Sequence, residues 1–123
     1  QIQYTGIDLF KEHIEDCHNR WPFLKFYHGN FLKNTFKDKE FDLSMFNGTF
    51  NPKMDKNNQE KLLKEAIRVS KYIMVLFDYN KSGYLVSNFK LEKLKEIGEY
   101  SISRDNQDNN QLCIVSLYEV IYG

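Results

Sequence analysis

Apolar positions along this chain follow two spacings, and together they predict strands alternating with helices. Residues 2–7 are rich in β-formers and close on Gly6-Ile7-Asp8, which reads as a first strand. Phe10, Ile14 and Cys17 then share one helical face, predicting a helix over 9–19. Pro22 ends the connection, because the residue before a proline avoids the helical region. A second strand over 23–28 is broken by Gly29-Asn30, and the polar stretch 33–40 has little periodicity. Residues 41–46 make a third strand, mostly apolar, as expected where helices cover both faces. A loop with Gly48 and Pro52 leads to a helix over 59–70, with Leu62, Leu63, Ala66, Ile67 and Ser70 inward. The continuous apolar run 72–77 is the strongest strand. After a loop over 78–83, a helix is expected over 88–97, with Leu91, Leu94 and Ile97 inward and Gly98 as its stop. Residues 99–104, the polar turn 105–110 and residues 112–122 read as a long antiparallel hairpin.

Composition narrows the function more than the fold. A chain of 123 residues is most simply one domain with one core. Phe and Tyr are spread along its whole length, which argues against disorder. Lys and Arg number 17, as do Asp and Glu, and no basic stripe appears, so nucleic-acid capture is not expected. No apolar run approaches a membrane span and no signal peptide opens the chain, so no membrane is expected. Cys17 and Cys113 lie in no CxxC pair and read as free, buried thiols of a cytoplasmic protein. The sequons Asn47-Gly48-Thr49 and Asn80-Lys81-Ser82 are then chance matches. The chain opens on Gln1 and not Met, so a truncated domain of a longer gene product is expected.

Three segments end in small or polar residues able to face a ligand: Tyr4-Thr5-Gly6-Ile7-Asp8-Leu9, Phe26-Tyr27-His28-Gly29-Asn30-Phe31, and residues 41–51 with Asn47-Gly48-Thr49-Phe50-Asn51 at their end. Their order, with the intervening helices and the closing hairpin, resembles class I S-adenosylmethionine-dependent methyltransferases over nearly the whole chain. The resemblance implies a Rossmann-like, three-layer α/β fold, with a mostly parallel sheet and an antiparallel C-terminal hairpin. It implies S-adenosylmethionine as cofactor and a small molecule as methyl acceptor. Asp8, with Leu9 beside it, would accept hydrogen bonds from both ribose hydroxyls, which a carboxylate's two oxygens suit. Asn30 and Phe31 would border the adenine. Asn47 and Gly48 would lie near the sulfonium, with Thr49, Phe50 and Asn51 on the substrate side. Each position has a plainer reading beside this one. Asp8 is also a good helix N-cap, Asn30 a good Asx-turn residue, and 47–51 an ordinary strand-to-helix turn.

The sulfonium charge activates the donor methyl, so the protein mainly supplies alignment, worth roughly 7–11 kcal/mol. A general base is needed only where the acceptor must lose a proton, and Asp78, Tyr79 and His28 are candidates. No Asn-Pro-Pro-Tyr sequence is present, which argues against a DNA base as acceptor. One departure from the family matters. Its first strand and glycine-rich turn have no counterpart, and in the family that strand lies between the second and fourth. Its loss would leave unpaired strand edges, so self-association or a partner completing the sheet is expected. Two alternatives remain open. One is a scaffold that keeps the fold without the cofactor. The other is a calcium loop at Asp78-Tyr79-Asn80-Lys81-Ser82-Gly83-Tyr84-Leu85, whose twelfth position, Phe89, lacks the required Glu. His13 and Cys17 make only half a metal site, which argues against zinc.

Overall fold

The computed structural model describes residues 2–47, 49–50, 55–77, 93–106 and 109–121, with 77, 102–106 and 109–113 as backbone alone. The chain divides into two compact units, Gln1–Thr35 and Phe36–Gly123.

The first unit is a β-α-β motif. Strand β1 (Thr5–Asp8) leads to helix α1 (Lys11–Arg20), and strand β2 (Lys25–His28) returns parallel to β1, with Gly6 opposite Phe26 and Asp8 opposite His28. Residues 2–4, expected in the first strand, lie outside it. The approach of β2 explains Gly6: a Cβ there would meet the Phe26 ring at 2.8 Å. Phe26 also packs against Tyr4 and edge-on against His18 of α1. Ile14 is the buried apolar residue of α1. Cys17, expected to be buried, is half-buried, because the face of α1 it shares with Ile14 is only partly covered.

The second unit holds strand β3 (Phe41–Asn47), helix α2 (Lys56–Val69) and strands β4 (Ser70–Phe77), β5 (Leu94–Asn106) and β6 (Asn109–Val120). Its sheet has the order β3-β4-β6-β5. Strands β3 and β4 are parallel, and β6 runs antiparallel to both its neighbours. The terminal hairpin is thus present, with β6 inside the sheet and β5 at its edge, but the sheet expected to be mostly parallel is parallel in this unit only at β3–β4.

Helix α2 begins earlier than periodicity indicated, because the Asp55 carboxylate caps it by accepting from the Asn58 amide at 2.8 Å. Its expected inner face is buried: Leu62, Leu63, Ala66, Ile67 and Ser70, with Ser70 the first residue of β4. Ile73 and Val75 of β4 and Ile114 and Tyr118 of β6 are buried as well. Lys39, at φ 54, closes the far end of the helix. Its amide donates to the Arg68 carbonyl, and its Nζ donates to the carbonyls of Ile67 and Ser70 at 2.6 and 3.0 Å.

The helix expected over 88–97 is corrected. Leu94 to Ile97 belong to β5, paired with β6, and residues 88–92 lie outside the described ones. Three-residue spacing fits a helix, but the register shifts between Glu96 and Gly98, leaving Ile97 as the extra residue of a bulge. Leu94 is buried and Ile97 exposed, so the two do not share an inward face.

Candidate functional site

In parallel strands the carboxyl ends fall together, and this brings the first cluster of expected site residues to one edge. Asp8 ends β1 opposite His28, which ends β2, and the Gly29 amide donates to the Asp8 carbonyl at 2.9 Å. The Asp8 side chain is half-buried and already partly engaged. Its Oδ1 accepts from the Phe10 amide at 2.8 Å, and its Oδ2 faces His13 Nδ1 at 3.4 Å. The helix-start reading of Asp8 is therefore realised in part. The residue before α1 is Phe10, and Asp8 reaches across to it. One oxygen holds backbone, and the other faces a side chain that is 65% exposed.

Leu9 is exposed, and its carbonyl accepts from His28 Nε2 at 3.0 Å. Asn30 makes the turn its plainer reading expected. Its Oδ1 accepts from the Leu32 amide at 2.9 Å, opening a short 3-10 turn over Phe31–Lys33. Its amide nitrogen is the part left to meet a ligand. Phe31 is half-buried.

In the second unit, Asn47 ends β3 opposite Leu76 and is exposed. Thr49 is half-buried. Phe50 is 2% exposed and packs edge-on against Phe46 with centroids 5.4 Å apart, so its ring serves the core of that unit and not an open face. Gly48 and Asn51 lie outside the described residues, as do Asp78, Tyr79 and the whole calcium-loop motif. Cys113 is described as backbone alone. Among the described residues, no group of three or more His, Cys, Asp or Glu is placed to hold a metal ion. Nor is any helix among them long and apolar enough to cross a membrane.

His13 is the residue sequence reasoning missed as a neighbour of Asp8. A helix beginning three positions beyond a strand end turns its first-turn side chains back toward that end, and this was the available signal.

Residues 1–72 match the model of the methyltransferase domain family. The chain belongs to that family, in its class I, S-adenosylmethionine-dependent form, and S-adenosylmethionine is the cofactor of that class. Solved structures share the Rossmann-like fold. A SAM-dependent methyltransferase from Methanosarcina mazei superposes with TM-score 0.77 at 15% identity, covering 97% of this chain and 82% of its own. The N-methyltransferase NodS from Bradyrhizobium japonicum, in complex with S-adenosyl-L-homocysteine, gives 0.72 at 14%, covering 98% and 67%. The [4+2]-cyclase SpnF gives 0.70 at 12%, covering 99% and 68%. No curated protein matches the chain.

Proposed function

We propose that this chain binds S-adenosylmethionine through Asp8 and contributes to methyl transfer onto a small molecule. The observation that carries the reading is the placement of Asp8. It stands at the carboxyl end of a parallel strand, where α/β sheets take their ligands, with Oδ2 free of backbone. Its half-exposure suits a ribose diol, and Oδ1 keeps a second lone pair beside the Phe10 amide. Leu9, the Asn30 amide nitrogen and Phe31 complete the adenosine side in this reading.

When bound, the cofactor supplies an electrophilic methyl, and the chain's own contribution is to hold donor and acceptor in line. His28 is not assigned as a base, since its Nε2 proton is given to the Leu9 carbonyl. Among the described strands, β1 pairs with β2 alone and β3 with β4 alone. An apolar strand from elsewhere in the gene product, from a partner or from a second copy is proposed to complete them. A reducing cytoplasmic setting fits the free Cys17 thiol.

Calorimetric titration with S-adenosyl-L-homocysteine, with the mass of the binding species checked by sedimentation, tests this. We expect micromolar binding that Asp8→Ala weakens about ten- to hundred-fold, the worth of a charge-assisted hydrogen bond. Binding by a lone monomer would dispense with the completing strand. Absence of heat would favour the scaffold reading, and the cyclase neighbour shows that this fold hosts other chemistry.

A further inference from the structure

We infer that His13 is a positioning residue that gates the Asp8 carboxylate by its charge. As imidazolium it pairs with Oδ2 and withholds that oxygen from the ribose diol, and as neutral imidazole it releases it. The inference rests on the ribose reading of Asp8 and adds a regulation of that site.

The geometry is local and complete. His13 Nδ1 lies 3.4 Å from Asp8 Oδ2, while Oδ1 is committed to the Phe10 amide. Oδ2 is therefore the oxygen with most capacity for a hydroxyl, and it is the one the imidazole reaches. The Phe10 ring, 5.2 Å from the imidazole centroid and tilted against it, flanks His13 on the other side.

Other charged and titratable groups nearby are otherwise engaged. On α1, Lys11 pairs with Glu15 at 3.7 Å and Asp16 with Arg20 at 3.1 Å, leaving Glu12 as the adjacent carboxylate in sequence. From β2, His28 directs Nε2 at the Leu9 carbonyl. Asp8 is thus the carboxylate that His13 meets.

A diol approaching Asp8 donates two O–H groups and needs an acceptor that is not already neutralised. An imidazolium offers only donors and competes with both hydroxyls. A neutral imidazole carries one acceptor nitrogen and one donor, so it can take a hydroxyl proton or turn away. Lowering the pH favours the charged form of an imidazole and raising it the neutral form. Because the pair is exposed, the effect is modest, roughly two- to five-fold in an equilibrium.

The test titrates S-adenosyl-L-homocysteine into the wild-type chain, His13→Asn and Asp8→Ala, at about pH 8 and about pH 5.5, on either side of the imidazole range. The ratio of Kd at low pH to Kd at high pH is expected to be about two to five times larger for wild type than for His13→Asn. Wild type is also expected to release more protons on binding near pH 6.5 than the variant, read by calorimetry in two buffers of different ionisation enthalpy. The second readout needs only that His13→Asn fold, and the exposure of His13 favours that. Equal ratios with equal proton release overturn the gate and leave the ribose reading standing. If wild type fails to bind at high pH, both fall together.

Discussion

At the scale of single residues, Gly6 and Asp8 show how closely the first unit is drawn together. Gly6 lies where β1 meets β2, and a methyl group there would stand 2.8 and 3.2 Å from two carbons of the Phe26 ring and 3.2 Å from Tyr4. Neither ring can yield without giving up its partner, since Phe26 packs on both Tyr4 and His18. Gly6→Ala is expected to cost about 1–3 kcal/mol, the usual range for overpacking. Thermal melting checks it, and an unchanged midpoint would mean the rings move freely. The position of Asp8 at a strand end was legible because it closes a β-rich run. Its division between the Phe10 amide and His13 was not legible. That depends on where α1 begins, and periodicity fixes helix starts poorly. Asn30 shows the same limit. Its amide oxygen goes to the Leu32 amide, a local bond that competes with any ligand.

At the scale of elements, most of the buried face of α2 was readable, because Leu62, Leu63, Ala66 and Ile67 follow the helical period, while Gln59 and Val69, buried as well, were not expected there. The way the helix ends was not readable. Its last carbonyls are satisfied by Lys39, which precedes it in the chain by more than a dozen residues and adopts a left-handed φ of 54 to reach them. Such a partner is invisible to local pattern. Lys39→Met keeps the stem and removes the donor. It is expected to destabilise the second unit by about 1–3 kcal/mol, the cost of leaving carbonyls unpaired. Denaturant unfolding measures it, and a loss below the error of the method would show that water replaces the ammonium. Element β5 failed in the opposite direction. Leu94 and Ile97 carry a helical spacing, yet β6 offers a continuous ladder from Leu94 to Asn106, and the bulge at Ile97 absorbs the mismatch. Long-range pairing overrode a weak local signal.

Across the whole molecule, the two units differ in how much they bury. The second has an apolar core of α2, β4 and β6, and β4 and β6 are each paired on both edges. The first spans residues 1–35, with Ile14 its buried apolar side chain among the described residues, and it leaves Leu9, Phe10, Trp21 and Phe23 exposed. A unit below about 40 residues rarely holds itself together on apolar burial alone. Hydrogen exchange of the free chain should therefore be graded. Amides of β1 and β2 are expected to exchange through low-energy openings, and those of β4 and β6 to be the slowest. If Asp8 grips the cofactor, ligand binding stabilises the weak unit itself, because a closed β1–β2 edge is what it recognises. At a ligand concentration about 100 times Kd the gain is ~2.7 kcal/mol, a slowing of roughly a hundredfold in opening-limited exchange. S-adenosyl-L-homocysteine should confer this on β1 and β2 of the wild-type chain and, at the same concentration, much less on Asp8→Ala. Uniform protection across both units before any ligand is added would mean the first unit draws its stability from something other than its own burial. The cofactor could then add little to it.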